Sequence, residues 1–234
     1  MNHKTIFNIV IAISVIALAA CSTATPTSAS NTTTNSISPT TISDTTSNAT
    51  APTAASNTTA SDTAPSMDPN LACSGGKTSA TVTPELTEGP YYKSGSPELA
   101  NLLQSGMPGT KLVITGYVYD TNCQPVAKAW LDFWQADDSG NYDNSGYTLR
   151  GHQYTDANGR FELTTVVPGL YPGRTEHIHF KVQAPNGKIL TSQLFFPGVV
   201  QNDSDGIYNA SLLLSIQKNS DNWQGQFNFV VPAS

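Results

Sequence analysis

The region from Leu71 to the end of the chain predicts an all-β fold, an antiparallel β-sandwich, from three observations. Short runs in which apolar and polar residues alternate recur along it, and a helical period is scarce. Strong turn sequences, at residues 156–159 and 184–187, separate neighbouring runs. All Trp and Tyr residues lie beyond residue 90, which confines the hydrophobic core to this region. Many short strands with frequent turns are typical of two packed antiparallel sheets.

Six segments of this region are predicted to be strands, and one is predicted to be a short helix. The strand segments are residues 112–119, 129–134, 160–167, 177–182, 189–196 and 226–231. The helical segment lies around residues 97–103. About 160 residues are enough to form one hydrophobic core, so we expect a single folded domain over residues 71–234.

The first 21 residues are predicted to be an export signal. Lys4 precedes an apolar stretch that is shorter than the roughly 20 residues needed to cross a bilayer. The stretch ends in Leu-Ala-Ala-Cys at residues 18–21, which resembles the bacterial lipobox. That resemblance implies that Cys21 is lipidated and becomes the mature N-terminus; the alternative is an ordinary secretory signal with an incidental cysteine. We therefore expect an exported lipoprotein, anchored to a membrane and facing the cell surface or periplasm.

Residues 22–70 consist almost entirely of Ser, Thr, Ala, Asn and Pro and contain no Trp, Tyr or Phe. Such a composition cannot bury enough apolar surface to offset the entropy of ordering, so this segment is predicted to be a disordered tether. The sequence pI near 5.0 and the net charge of −6 give no attraction to a polyanion. A nucleic-acid partner is therefore not expected.

Two cysteines, Cys73 and Cys123, remain once Cys21 is lipidated. An even pair of cysteines in an oxidising compartment favours a disulfide bond. Two unrelated buried thiols are the alternative, and the sequence alone leaves both open.

The densest chemical signal lies in residues 171–180. Side chains two residues apart on a strand face the same side, so His177 and His179 would present both imidazoles together. Two such imidazoles are half of a metal site, and Tyr147 and Tyr171 flank them. A phenol has a pKa of about 10 and binds as phenolate only to a strong Lewis acid. Two phenolates with two imidazoles therefore suit iron(III) better than zinc.

Several motifs of the domain together resemble the intradiol ring-cleavage dioxygenases, and they follow the order of that family. They are Thr-Glu-Gly-Pro-Tyr-Tyr at 87–92, Leu-Val-Ile-Thr-Gly-Tyr-Val at 112–118, Ala-Trp-Leu-Asp-Phe-Trp-Gln-Ala at 129–136, Gly-Asn-Tyr at 140–142, Tyr-Pro at 171–172, His-Ile-His-Phe at 177–180 and Ser-Gln-Leu-Phe at 192–195. The resemblance implies a non-haem Fe(III) enzyme with a β-sandwich catalytic domain. Its substrates would be a small aromatic diol and O2, and its product a muconate-type diacid.

Carried over by position, the resemblance implies that His177 and His179 are metal ligands. Tyr171 matches the tyrosinate that leaves the metal and takes a proton when the substrate binds. Arg174 matches an arginine near the substrate ring, where a fixed guanidinium stabilises negative charge. Gln193 matches a glutamine that lines the same pocket.

The second tyrosinate is assigned to Tyr147. Tyr142 and Tyr154 compete for that role, and Tyr142, within the Gly-Asn-Tyr motif, is interpreted as structural. Pro90 and Tyr91 are expected to bind substrate at the mouth of the pocket.

Two other functions stay open. One is a binding module with the same sandwich and no catalysis, and the other is a zinc-dependent hydrolase that uses the histidine pair. The interval from Tyr171 to His177 is shorter than in larger members of the resembled family, so the natural substrate is not predicted.

Overall fold

The computed structural model describes residue 68, residues 70–220 and residues 222–233. The predicted signal, Cys21 and nearly all of the predicted tether lie outside these residues. The strands of the described part are β1 (Lys111–Asp120), β2 (Trp130–Trp134), β3 (Arg150–Tyr154), β4 (Arg160–Val166), β5 (His177–Gln183), β6 (Leu190–Phe195), β7 (Ser215–Lys218), β8 (Asn222–Gln226) and β9 (Phe229–Val231). Two short 3-10 helices, Val200–Asp203 and Ala210–Leu212, lie between β6 and β7.

The strands form two sheets. One has the order β4-β1-β8-β7, with β9 also pairing with β1, and the other has the order β3-β2-β5-β6. Most neighbouring strands are antiparallel, but β1 runs parallel to both β8 and β9. The predicted all-β sandwich is therefore confirmed, with one sheet of mixed direction. No helix among the described residues has the length and apolar character to span a membrane.

The inner faces of the two sheets form the core. Phe133 of β2 pairs with Phe180 of β5, and both side chains are fully buried. The opposite sheet supplies Phe161 and Phe229, with ring centroids 6.0 Å from Phe133 and 4.5 Å from Phe180, respectively. Burying an aromatic side chain of this kind stabilises the fold by about 1.5–3 kcal/mol.

The outer face of the β3-β2-β5-β6 sheet carries the remaining side chains of the same strands, because successive strand residues alternate between faces. Trp134 of β2 pairs with His179 of β5, which in turn pairs with Gln193 of β6. The neighbouring row contains Asp132 and Lys181. The predicted histidine ligands therefore lie on the outer face of this sheet.

A strap that precedes β1 covers part of this outer face. The Tyr92 hydroxyl donates to Asp132 at 3.2 Å, and Lys181 donates to Glu88 at 2.5 Å. Gly89 packs against His179, and an added Cβ at Gly89 would lie 3.1 Å from the imidazole. The strap thus brings the Thr-Glu-Gly-Pro-Tyr-Tyr motif over the histidine pair.

The segment predicted to be helical, residues 97–103, is extended instead. Leu99 N donates to His152 O of β3, and Leu102 N donates to Thr164 O of β4. The segment therefore bridges the edges of the two sheets, and its backbone hydrogen bonds go to strands and not to a helix. The helix prediction was wrong for that reason.

Cys73 and Cys123 form a disulfide bond, with the sulfur atoms 2.06 Å apart. The bond ties the start of the described chain to the loop that follows β1. Of the two alternatives from the sequence, the structure contains the paired form.

Removing this disulfide should destabilise the domain. The bond closes a loop of 50 residues, which corresponds to roughly 4 kcal/mol of lost entropy in the unfolded chain. We expect the Cys73→Ser, Cys123→Ser variant to lose about that much free energy of unfolding in a urea titration. Wild-type protein with reductant serves as the control and should match the variant. A loss below about 1 kcal/mol would contradict the expectation.

Candidate metal centre

His177 and His179 converge on the outer face of β5. Their Nε2 atoms lie 3.1 Å apart, and the residues are only 3% and 1% exposed. Burial lowers the pKa of His177 to about 4. Burial, with a further contribution from His177, lowers the pKa of His179 well below its usual value. Both imidazoles are therefore neutral at pH 7, the form that binds a metal ion.

Each imidazole is oriented by a different contact. His177 Nδ1 lies 2.7 Å from Thr175 O, so its N–H donates to that carbonyl and leaves Nε2 free for a metal. His179 stacks on Trp134, with ring centroids 4.8 Å apart and an angle of 6° between the planes. One ligand is thus held by a hydrogen bond and the other by packing.

Tyr171 lies beside this pair, as predicted. Its ring centroid is 5.6 Å from that of His177, and its hydroxyl accepts a hydrogen bond from Arg174 Nη1 at 3.2 Å. Burial raises the pKa of Tyr171, and the guanidinium of Arg174 partly opposes that effect. A phenolate at this position is therefore a stronger base than a solvent-exposed one.

The second tyrosine in the cluster is Tyr142. Its ring centroid lies 5.8 Å from Tyr171 and 6.3 Å from His179, and its ring stacks on Tyr91 at 4.3 Å. The Tyr142 hydroxyl is buried without a hydrogen-bond partner among the described residues. Burial raises its pKa far above the usual value. An orphaned buried hydroxyl beside two imidazoles fits a metal ligand, because metal binding satisfies it.

Tyr147 lies elsewhere. Its hydroxyl donates to Ser94 O at 2.8 Å, its ring faces the Lys93 ammonium at 4.3 Å, and the residue is 37% exposed. None of these contacts reaches the histidine pair. Tyr154, the other competitor, is half exposed at the end of β3. The structure therefore places Tyr142, and not Tyr147, beside the histidine pair, which makes Tyr142 the second candidate tyrosinate.

A tight turn explains the position of Tyr147. Asp143 Oδ1 accepts from Gly146 N at 2.6 Å, and Asp143 Oδ2 accepts from Thr148 N at 3.0 Å. These hydrogen bonds lower the pKa of Asp143 well below its usual range. The turn holds the intervening residues on the surface, so closeness in sequence to β3 does not bring Tyr147 into the site.

Arg174 and Gln193 meet next to Tyr171, as predicted. Arg174 Nη2 donates to Gln193 Oε1 at 2.5 Å, and Gln193 Nε2 donates to Thr87 O at 3.0 Å. Arg174 Nε donates to Asp205 at 2.9 Å. The glutamine therefore links the guanidinium to the strap.

Tyr91 and Pro90 have different surroundings. Tyr91 stacks on Tyr142 and meets Tyr171 edge-on, at a centroid distance of 6.0 Å. Pro90 is exposed beside Gly89. Tyr171 and Arg174 also line a cleft of about 420 Å³. Its remaining lining residues are Leu170, Pro172, Gly173, Gln201, Ser204 and Asp205.

Three contributors to the site were not predicted from the sequence: Trp134, Arg150 and Asp205. Arg150 is 2% exposed and donates to Tyr91 O at 2.6 Å and to Asp143 O. The pairing register of β3, β2 and β5 could have identified Arg150, because Arg150 pairs with Trp134, which pairs with His179. Asp205 follows a 3-10 helix far along the chain. No strand register relates Asp205 to the histidine pair, so the sequence does not mark it as part of the site.

The donor set defines a class of protein: a β-sandwich with a candidate non-haem metal centre of two imidazoles and two phenols. Within the described residues, no group of three or more His, Cys, Asp or Glu side chains could hold a metal ion. The phenols of Tyr142 and Tyr171 are the oxygen donors whose rings lie beside the two imidazoles. Phenolate ligands suit a strong Lewis acid such as iron(III).

Comparison with known proteins agrees with this class. Residues 87–230 match the family model described as "Dioxygenase", and the matched relatives include catechol and hydroxyquinol 1,2-dioxygenases. The chain belongs to the intradiol ring-cleavage dioxygenases, oxidoreductases that cleave aromatic diols.

Two curated relatives illustrate the degree of similarity. Chlorocatechol 1,2-dioxygenase of Rhodococcus opacus is 26% identical over 185 residues, which cover 64% of this chain and 72% of the relative. Catechol 1,2-dioxygenase 2 of Acinetobacter lwoffii is 34% identical over 142 residues, covering 50% of this chain and 52% of the relative. The chain thus spans between about half and three quarters of the length of these relatives.

Solved structures show the same fold. One is the dioxygenase domain of a dioxygenase carbohydrate-binding protein fusion from Streptomyces sp. SirexAA-E. It is 46% identical with a TM-score of 0.65, and the match covers 66% of this chain and all of that one. An intradiol ring-cleavage dioxygenase from Tetranychus urticae is 27% identical with a TM-score of 0.61, covering 65% and 95% of the two chains.

The neutral histidines predict a pH dependence of stability. In the metal-free protein, the unfolded chain takes up protons below pH 6.5 that folded His177 does not take up until about pH 4. Stability is therefore lost as the pH falls between pH 7 and pH 5, by about 2 kcal/mol for His177, and His179 adds to the loss in the same direction. Urea titrations at the two pH values measure the loss.

The matched control is the variant His177→Gln, His179→Gln, which should show a much smaller change over the same interval. Equal free energies of unfolding of the metal-free wild type at pH 7 and pH 5 would contradict the burial argument.

Proposed function

We propose that the chain is an iron(III)-dependent dioxygenase that cleaves small catechol-type diols between their hydroxylated carbons, using O2, to give muconate-type diacids. The observation that carries this proposal is the cluster formed by Tyr142, Tyr171, His177 and His179, whose neighbouring ring centroids lie 4.7 to 6.3 Å apart. The membership of the family supports the reaction type. The proposal names a class of diols and not one particular diol.

Iron(III) would be held by these four side chains. When bound, it would supply the Lewis acidity that stabilises the phenolates and the dianion of the diol. It would also make the aromatic ring of the diol reactive towards O2. Burial raises the pKa of both Tyr142 and Tyr171. A weak Lewis acid would leave these phenols protonated, which favours iron(III) over zinc.

Tyr171 would act as the base for the incoming diol. Its phenolate oxygen would take one of the two protons that the diol must lose to become a dianion, and the other would leave to solvent water. Burial raises the pKa of Tyr171, so its released phenolate binds a proton readily. Arg174 Nη1 lies 3.2 Å from the same oxygen and would hold the displaced phenol in place.

Arg174 and Gln193 would orient the ring. Two of the guanidinium nitrogens point to Tyr171 and Gln193, which places a fixed positive charge at the edge of the substrate position. Negative charge that builds on the ring is stabilised by such a charge.

The two other functions lack comparable support. A zinc hydrolase would be expected to use Cys, His or carboxylate ligands, whereas the donors next to the histidines are phenols. A binding module without catalysis would not need an orphaned phenol at a pair of neutral imidazoles. We therefore favour the dioxygenase.

The proposal predicts that iron-loaded protein is coloured by phenolate-to-iron charge transfer and consumes O2 with catechol, protocatechuate or hydroxyquinol. Tyr142→Phe should weaken and shift the visible band, since only the Tyr171 phenolate remains, and should lose at least about a hundredfold in kcat because a metal ligand is removed. Tyr147→Phe is the matched control and should retain both. Visible spectroscopy and an oxygen electrode provide the measurements.

Two results would count against the proposal. One is the absence of O2 uptake by wild-type protein that contains stoichiometric iron. The other is a weakened and shifted band in Tyr147→Phe with an unchanged band in Tyr142→Phe, which would return the second ligand to Tyr147.

We also propose that the enzyme is exported and anchored to a membrane through lipidated Cys21. The support is the sequence alone: an apolar signal that ends in Leu-Ala-Ala-Cys, followed by a polar segment that would hold the domain away from the surface. An anchored enzyme would meet diols outside the cytoplasm.

Expression of the full chain in a bacterial host tests the anchor. We expect wild type in the membrane fraction and the Cys21→Ser variant outside it, because the acyl chains are lost. Ser22→Ala, next to the modified position, is the control and should stay with the membrane. Sedimentation of Cys21→Ser with membranes would sink the anchoring proposal.

A further inference from the structure

Each of the three guanidinium nitrogens of Arg174 has a partner. Nη1 donates to the Tyr171 hydroxyl, Nη2 donates to Gln193, and Nε donates to Asp205 at 2.9 Å. The first two partners belong to the proposed catalytic site. The third partner, Asp205, is not one of the proposed catalytic residues. It lies 31 residues further along the chain and holds the guanidinium through Nε.

Asp205 is built into this position. Its side chain is only 2% exposed, and that of Arg174 is 12% exposed. Asp205 Oδ2 accepts from both Arg174 Nε and Thr175 N, each at 2.9 Å, and Asp205 Oδ1 accepts from Ile207 N at 2.9 Å. Both carboxylate oxygens are therefore used, and the carboxylate has one orientation.

The same carboxylate also binds the residue whose carbonyl orients a histidine. Thr175 N donates to Asp205, and Thr175 O accepts the N–H of His177 Nδ1. The Asp205 side chain thus joins two elements: the guanidinium at Tyr171 and the backbone that sets the tautomer of His177. Charge-assisted hydrogen bonds to a buried carboxylate are roughly twice as strong as neutral ones.

We propose that Asp205 is a positioning residue for ring cleavage: it fixes the guanidinium of Arg174 against Tyr171 and Gln193 without touching the substrate. This inference rests on the proposed function, since the position of Arg174 matters only if that side chain serves the reaction. A misplacement of about 1 Å in a catalytic group can reduce the rate about a hundredfold.

A simple structural role for Asp205 makes different predictions, and a neighbour separates the two. Asn202 lies in the preceding 3-10 helix, accepts from Thr175 Oγ1 at 2.6 Å and donates to Phe196 O, but has no contact with Arg174. Loss of Asn202 loosens the same loop and leaves the guanidinium paired. Asp203, exposed in the same helix, is the control for the loss of one negative charge.

The arginine side chains permit a direct measurement. The chain has three arginines, Arg150, Arg160 and Arg174, so the Nε–H region of a nitrogen-15 NMR spectrum has only three signals. In the metal-free full chain, we expect Asp205→Asn to shift the Arg174 signal and to speed its exchange with water at least tenfold. The Arg150 signal should stay unchanged, and so should the Arg174 signal in Asn202→Ala and Asp203→Asn.

Kinetics of the iron-loaded full chain provide the second measurement. We expect Asp205→Asn to lower kcat by about tenfold to a hundredfold, while the Kd of catechol, from anaerobic spectral titration, changes less than threefold. Asp203→Asn should stay within twofold of wild type in both quantities.

Two outcomes would overturn the proposal. One is an Arg174 signal and a kcat in Asp205→Asn that both match wild type. The other is the same change of the Arg174 signal in Asn202→Ala, which would reduce Asp205 to a support of the loop. If Asp205→Asn does not fold, Asp205→Ser, which keeps an acceptor for Thr175 N, is measured in the same way.

Failure of the proposed function gives a different pattern. Wild-type protein without O2 uptake would remove the catalytic role, and with it the proposal. The NMR experiment would still show whether Asp205 holds Arg174. Wild-type uptake together with an unaffected Asp205→Asn variant would leave the function standing and overturn the positioning role alone.

Discussion

The register of β2, β5 and β6 is the constraint on which the site depends. It sets Phe133, Phe180 and their neighbours on the inner face, where they pack against the other sheet. The same register places Trp134 beside His179 and His179 beside Gln193 on the outer face. A slip of one residue would exchange the two faces and would put the imidazoles into the core. The hydrophobic energy of the core therefore also fixes the positions of the histidines.

Those parts of the fold that bury an apolar face were predictable. The strands β1, β4, β5 and β6 were predicted within a few residues, because their inner positions are apolar. Strand β3 was not, because its inner positions are filled by Gly151 and Gln153. An added Cβ at Gly151 would lie 2.6 Å from Leu102, so the bridging segment supplies the apolar group that the strand lacks. The alternation of residues within one strand cannot reveal that a separate segment of the chain completes the apolar face of that strand.

The candidate site shows the same division between local pattern and long-range contact. The histidine pair, Tyr171, Arg174 and Gln193 follow from strand alternation and from motifs, and the structure brings them together. The second tyrosine does not follow from alternation, because Tyr142 and Tyr147 both lie between strands. A carboxylate that closes a turn sends one of them to the surface. Hydrogen bonds to the backbone decide whether Tyr142 or Tyr147 is held at the surface. The spacing of side chains in the sequence does not reveal those hydrogen bonds.

Each of the two phenols lies near a guanidinium. Arg174, which faces the ring of Tyr171 at 6.0 Å, has Asp205 as its counter-ion. Arg150 is more fully buried and faces the ring of Tyr142 at 6.0 Å. It has no ion pair within the described part of the chain, and Asp143 is the strongest source of negative charge that acts on it. A phenolate at Tyr142 would add a further negative charge beside this buried cation and would help to offset the cost of its burial. The same attraction opposes the effect of burial, which raises the pKa of Tyr142. At Tyr171 burial likewise raises the pKa, and the guanidinium of Arg174 opposes that effect. Each phenol therefore has a neighbouring cation that stabilises its ionised form, the form in which a phenol binds a metal ion.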